Sequence, residues 1–272
     1  MDPDRTPTPE ELEDCATFAV AVLEEAGRAA LAYFRRAPAV DDKAGAGAPF
    51  DPVTEADREV ERLVRARIAA RFPGHAVLGE EEGVGAGSGR VGWTLDPIDG
   101  TRGFLAGFVQ WGMLLALTVD GAPVLGVVHQ PYTNETWWGT ARGSRFRRGG
   151  EASAVRVRPC PEPGAAILAS TDPHLFAEAE ADAFHALRRA VRLVRYGSDC
   201  YAYCLLASGQ LDLVVESGLG PWDVQALIPL IEGAGGVVTD WRGDACAAGG
   251  RVLAAGDPAL HRWALERLAA VP

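Results

Sequence analysis

Near the start of the chain, Leu12, Cys15, Phe18, Ala19, Val22, Leu23, Ala26, Ala29 and Ala30 recur at helical spacing behind Pro9. The pattern predicts an amphipathic helix over residues 10–34, with proline in its first turn, where a missing N–H leaves no bond unmade. AGAGAP at 44–49 reads as a turn-rich loop. Thr54, with Asp57 three residues on, has the form of a helix N-cap with a reciprocal acid. Val60, Leu63, Val64 and Ile68 carry that helix to Phe72, where Pro73 and Gly74 stop it. Val77 and Leu78 form an expected short strand, and GVGAGSGR at 83–90 an expected surface loop.

From Val91 the pattern becomes that of strands. Gly92–Leu95 reads as a buried strand ending at Asp96-Pro97. Gly112–Val119 and Pro123–His129 flank Asp120-Gly121, a hairpin turn signal. Thr136–Gly139 and Ser144–Arg147 extend the meander, and residues 150–164 read as a connector. Beyond it, strands at 166–169, 191–195, 211–216, 236–240 and 252–255 are interleaved with helices at 176–190, 199–209, 222–234 and 258–270. Clustered strands followed by alternation predict an α+β layered sandwich, two sheets sharing helices.

The 272 residues are enough for a full core, and 48% hydrophobic with 23% charged residues excludes a disordered or fibrous chain. The net charge is −11, which argues against a nucleic-acid partner. An acidic protein that handles a phosphate needs a cation to attract it. Five cysteines at irregular spacing do not make a disulfide framework. Cys200 and Cys204 lack companions for a zinc site and are expected as buried free thiols. MDPDRTPTPEELED has no signal-peptide pattern, and no apolar run is long enough for a membrane span. The expected setting is the cytoplasm, without membrane contact.

Four acidic groups stand at strand ends or helix starts: Asp57, the run Glu80-Glu81-Glu82, the pair Asp96 and Asp99, and Asp223. A glutamate run alone is usually a solvated face. DPIDGT at 96–101 is different, because it follows an apolar strand directly. Pro97 fixes φ, Gly100 permits a tight turn, and Asp96 and Asp99 can then face one point with the Ile98 carbonyl between them. Such hard oxygen donors suit Mg²⁺; a plain turn with two exposed acids is the alternative. Carboxylates converging on one point repel one another unless cations sit among them.

DPIDGTRGF at 96–104, WDVQALIPLIEGAGG at 222–236, DPVTEAD at 51–57 and GEE at 79–81 together resemble the inositol monophosphatase superfamily, in its motif order and spacing. The likeness covers nearly the whole chain and implies one layered αβαβα domain over 1–272, with an N-terminal half to about 150 and an α/β half from about 165. It implies a metal-dependent phosphate monoester hydrolase without a phosphoenzyme. Glu80, Asp96 and the Ile98 carbonyl would hold one Mg²⁺, and Asp96, Asp99 and Asp223 a second. Glu80 would reach a weaker third ion through water. Thr101 and Asp57 would orient and deprotonate the attacking water, and the Gly100 and Thr101 amides would receive phosphate oxygens. A homodimer is the family's usual state.

For the alcohol part of the ester, the resemblance points to Asp199, where inositol phosphatases carry a small neutral residue, and to Glu216. Two carboxylates there suit a leaving group with amine or imidazole donors. SDCYAYCLLASGQLDLVVE (198–216), STDPHLF (170–176), GFLAGFVQWGMLLAL (103–117) and HQPYTNETWWG (129–139) resemble the histidinol-phosphatase branch. Its substrate is L-histidinol phosphate; inositol or sugar phosphates are the rival. The plain reading of Asp199 is a helix N-cap, and that of Glu216 an edge charge. Lys43 matches a basic position near the metals, where it would shield phosphate charge, with a solvated surface lysine as the alternative, and Arg102 has a phosphate contact or a surface ion pair open to it. Trp111, Tyr132, Trp137 and Trp138 read as hairpin core, and His129 and His174 as surface or peripheral groups.

Overall fold

The computed structural model describes residues 1–36, 40–43, 52–85 and 87–271; the expected loop at 44–49 lies outside them. Helix α1 (Pro9–Tyr33) opens with a capping box between Thr8 and Glu11. Two short strands, β1 (Val40–Asp42) and β2 (Pro52–Thr54), pair antiparallel. Thr54 then caps α2 (Glu55–Arg71) as its spacing predicts, with Asp57 closing the box.

The next elements build an eight-stranded sheet. They are β3 (Ala76–Gly79), β4 (Gly83–Val84), β5 (Val91–Asp99), the short helix α3 (Thr101–Ala106), β6 (Gly112–Val119), β7 (Ala122–Gln130), β8 (Glu135–Thr140), β9 (Gly143–Arg148) and β10 (Ser153–Val155). Their order in the sheet is β10-β9-β8-β7-β6-β5-β3-β4. A second sheet follows, from β11 (Ile167–Ser170), α4 (Glu178–Ala190), β12 (Leu193–Tyr196), α5 (Asp199–Ala207), β13 (Leu213–Leu219), α6 (Pro221–Val224), α7 (Leu227–Gly233), β14 (Val237–Thr239), β15 (Gly250–Ala255) and α8 (Pro258–Leu268). Its order is β12-β11-β13-β15-β14.

Strand alternation makes the layers. Trp93, Leu95, Met113, Leu115 and Leu117 meet α1 and α2 on one face of the large sheet. Leu114, Ala116 and Val128 face the other way, onto α5 and α7. Those helices also cover Ala169, Val214 and Ala254 of the small sheet, whose outer face packs Leu168, Leu213 and Leu253 on α4 and α8. The order is helix, sheet, helix, sheet, helix, as expected. Among the described residues, no helix is long and apolar enough to cross a membrane. All five cysteines are buried and free.

Several expectations are corrected. The loop at 83–90 contributes β4, and the connector at 150–164 contributes β10 and a 3₁₀ turn, Pro163–Ala165. The single helix expected at 222–234 is two, α6 and α7. Pro229 offers no N–H to the Gln225 carbonyl, and Ala226 presses against β7 where Gly126 leaves no room for a side chain. Trp111 and Trp137 are buried core and Trp138 packs half-buried, but Tyr132 is 49% exposed. His174 is exposed as expected. His129 is not at the surface: it is 3% exposed, with Nδ1 2.9 Å from the Thr136 hydroxyl.

Burial pushes the His129 imidazole down to about 4. The unfolded chain takes up this proton near 6.5 and the folded chain does not, so its contribution is complete above 6.5 and is lost as pH falls toward 4. Linkage sets that loss at about 3 kcal/mol. Urea unfolding at pH 7 and pH 4.5 is expected to show a smaller acid loss for His129→Gln than for the parent.

Candidate active site

The site forms where β5 stops pairing regularly. Asp96 lies opposite Leu114 and Asp99 opposite Gly112, and the register shifts between them. Both aspartates therefore lie in the irregular end of β5. The Asp96 Oδ1 accepts from the Ile98 N–H at 3.0 Å, and the Thr101 hydroxyl donates to the Ile98 carbonyl at 3.0 Å. Gly100 takes φ 81°, a left-handed conformation that suits glycine, and α3 begins at the next residue.

Two helix starts complete the cluster. The Asp99 Oδ2 accepts from the Cys200 N–H of α5 at 2.6 Å, and the Asp223 Oδ2 from the Gly220 N–H at the entry to α6, also at 2.6 Å. Carboxylate oxygens of Asp96, Asp99 and Asp223 lie within 4.8 Å of one another. Glu80 joins them from the end of β3, and the Lys43 ammonium bridges it at 2.7 Å to Glu81 at 2.9 Å.

Electrostatics mark the cluster as incomplete on its own. Asp96 is 1% exposed; burial, then the charges of Glu80, Asp99 and Asp223, hold its carboxyl well above the usual range. Burial, then Asp199 and Asp223, does the same to Asp99. Burial raises Asp223 to about 6 against the pull of the Gly220 N–H. Asp57 is raised by burial to about 6, opposed by its bonds from Thr54. Its Oδ2 accepts from the Thr54 N–H and hydroxyl, at 2.8 and 2.5 Å, while Oδ1 is buried without a partner. Converging hard-oxygen donors and an orphaned carboxylate oxygen fit divalent cations, Mg²⁺ among them.

A cleft of about 380 Å³ opens over the cluster, lined by Glu80, Gly100, Thr101, Arg102, Thr171, Leu175, Asp199, Gly218, Gly220, Trp222 and Asp223. Asp199 stands in it at φ 43° and is not the N-cap of α5; Ser198 holds that place, and Asp99 takes the amide of Cys200, the second residue of the helix. Burial raises Asp199 to about 6, with Arg102 and the Thr171 hydroxyl acting the other way. Glu216 is not an edge charge. It lies buried behind the lining and accepts from the Thr171 N–H at 2.7 Å, the Thr171 hydroxyl at 3.0 Å and the Ser170 hydroxyl at 3.4 Å. Burial raises it to about 8. Thr171, which links Glu216 to Asp199, is a site residue that sequence reasoning passed over, since an isolated threonine after a strand carries no signal.

Residues 11–271 match the model of the inositol monophosphatase family. The chain belongs to that family. It is 42% identical over 269 residues to the bifunctional phosphatase IMPL2 of Arabidopsis thaliana, covering 95% of this chain and 76% of that protein. It is 36% identical to a histidinol-phosphatase of Chlorobaculum parvum, covering 90% and 93% respectively. An inositol monophosphatase from Zymomonas mobilis has the same fold, with a TM-score of 0.83, 37% identity and coverage of 94% of this chain and 98% of that one. This member of the inositol monophosphatase family is therefore a phosphatase of small phosphorylated substrates, from a metal-dependent family.

Proposed function

We propose that the chain is a Mg²⁺-dependent histidinol-phosphate phosphatase, converting L-histidinol phosphate and water to L-histidinol and phosphate. The observation that carries the substrate is the acid on the alcohol side of the cleft. Asp199 lies in the lining beside Thr171, with Glu216 bonded to the same threonine. An ammonium or imidazole N–H finds acceptors there that a polyol does not need. The likeness to the Chlorobaculum parvum histidinol-phosphatase supports this reading.

Glu80, Asp96 and the Ile98 carbonyl would hold one Mg²⁺, and Asp96, Asp99 and Asp223 a second, with a third reached from Glu80 through water. Bound there, the ions supply charge for the phosphate oxygens and acidify water. Asp57 would accept a proton from the attacking water at Oδ1, which has no hydrogen-bond partner, while Thr54 fixes Oδ2. Thr101, anchored on the Ile98 carbonyl, orients the same water. The Gly100 and Thr101 amides receive phosphate oxygens. The new P–O bond forms to water, the ester P–O bond breaks, and the alkoxide leaves toward Asp199, taking up by way of solvent water the proton that Asp57 received, so that the alcohol forms and Asp57 is again a carboxylate. A homodimer, measurable by light scattering, belongs to the same proposal.

Inositol 1-phosphate is the second reading, favoured by the likeness to the Zymomonas mobilis enzyme. A non-catalytic binder is disfavoured by the full set Asp57, Glu80, Asp96, Asp99, Thr101 and Asp223. Side-by-side kcat/KM values decide: histidinol phosphate is expected to be preferred, and preference for inositol 1-phosphate overturns the assignment. Asp199→Ala is expected to lower kcat/KM for histidinol phosphate by about 10- to 100-fold, the worth of a charge-assisted hydrogen bond. Hydrolysis of 4-nitrophenyl phosphate, which lacks the amine, should change several-fold less. Equal losses on both esters remove Asp199 from recognition.

A further inference from the structure

We infer that Glu61, paired with Arg65, is a positioning residue that aims Glu80 at the ion cluster. The inference rests on the reading of Glu80 as an ion ligand. Asp57, Glu61 and Arg65 follow one another at four-residue intervals, one stripe along α2. Glu61 is 0% exposed, an expensive place for a carboxylate beside other acids unless its charge is answered.

The answer comes from both sides. The Glu61 Oε2 accepts from the Glu81 N–H at 2.9 Å, and Oε1 from the Glu82 N–H at 3.0 Å and the Arg65 Nε at 2.8 Å. Arg65 donates in turn to the Val77 carbonyl at 3.1 Å and the Gly83 carbonyl at 2.5 Å. The pair therefore grips both strands of the β3–β4 hairpin and the turn between them. The Glu81 N–H belongs to the peptide plane whose carbonyl is that of Glu80. Holding that N–H fixes the plane from which the Glu80 side chain leaves toward Asp96 and Asp223.

The flanking sequence is cut to fit. A methyl on Gly79 would fall on the Glu61 carboxylate, and one on Gly85 would meet the Arg65 Nη1 at 2.6 Å. Only an acceptor-only group serves here, because every partner is a donor. Glutamine turns an NH₂ toward a backbone amide or the guanidinium. The same α2 stripe carries Asp57, so one rigid helix sets both the proton acceptor and the acidic turn.

Mn²⁺ binding to the ion-free full-length protein, followed by calorimetry alongside thermal melts, tests the assignment. Groups that orient metal ligands typically cost 10- to 100-fold in affinity when replaced. Glu61→Gln is expected to weaken Mn²⁺ binding by about 10-fold or more and to raise the Mg²⁺ concentration for half-maximal phosphate release, with little change in substrate KM at saturating Mg²⁺. The double change Glu61→Leu with Arg65→Met removes both buried charges but leaves the Glu81 and Glu82 amides and the Val77 and Gly83 carbonyls without these partners, so it should melt below the parent and, where folded, still bind Mn²⁺ weakly. Gly79→Ala, which displaces the carboxylate and keeps its charge, should show the same loss and serves if either Glu61 variant fails to fold. Parent-like Mn²⁺ affinity in a folded Glu61 or Gly79 variant, with Glu80→Gln impaired, overturns the inference and leaves the proposed function standing. Parent-like affinity in Glu80→Gln removes Glu80 as a ligand and the inference with it.

Discussion

Asp96→Asn is expected to lower kcat/KM for histidinol phosphate by about 10³-fold or more, while the ion-free protein melts no lower than the parent. The size follows from position. Asp96 belongs to both proposed ligand sets, so one substitution weakens both ions, and electrostatic groups of this kind are worth about 10²–10³ each. The unchanged stability follows from the same cluster. Burial and the charges of Glu80, Asp99 and Asp223 all disfavour the ionised Asp96 carboxyl, so asparagine relieves repulsion in the ion-free fold. Its Oδ1 can still accept from the Ile98 N–H, as Asp96 does at 3.0 Å. Initial rates of phosphate release and melting curves on one preparation check both halves. A variant that loses activity only because it unfolds gives Asp96 a structural role instead.

Saturating Mg²⁺ is expected to raise the melting temperature by on the order of 10 °C at pH 8. An ion at a hundred times its dissociation constant contributes about 2.7 kcal/mol per site, and each kcal/mol moves a chain of this size by a few degrees. The effect should be smaller at pH 5.5. Asp57 and Asp223 are raised by burial to about 6, so the folded, ion-free protein keeps protons that the unfolded chain releases near pH 4. Their favourable contribution is complete below that range and is lost as pH rises through about 6. Ions replace those protons, and their advantage grows over the same interval. Scanning calorimetry with Mg²⁺ or with chelator at the two pH values checks the sign; identical melting in both media at pH 8 excludes ion binding at these acids.

What could be read from the sequence was local. The Thr54–Asp57 capping box and the acids at the end of β5 are written in neighbouring residues; the box forms as its spacing predicts, whereas β5 runs on to Asp99 and does not stop at Asp96-Pro97. The layered fold followed from where strands cluster and where they alternate with helices. What escaped depends on contacts between distant segments. Pro229 marks a weak point in the helix at 222–234, but the break falls where Ala226 meets Gly126 of another sheet. His129 and Glu216 look like peripheral or edge groups until their layers close over them. Glu61 has the spacing of any solvated helix acid, and only the folded-back β3–β4 hairpin turns it into a ligand for two amides. Strands as short as β4 have no pattern of their own and are defined by the partner they pair with.

Anomalous scattering from crystals grown with Mn²⁺ tests the central claim most directly. Two peaks are expected, one among Glu80, Asp96 and the Ile98 carbonyl, the other among Asp96, Asp99 and Asp223. A map with no peak at these carboxylates, from protein that still releases phosphate, would contradict it.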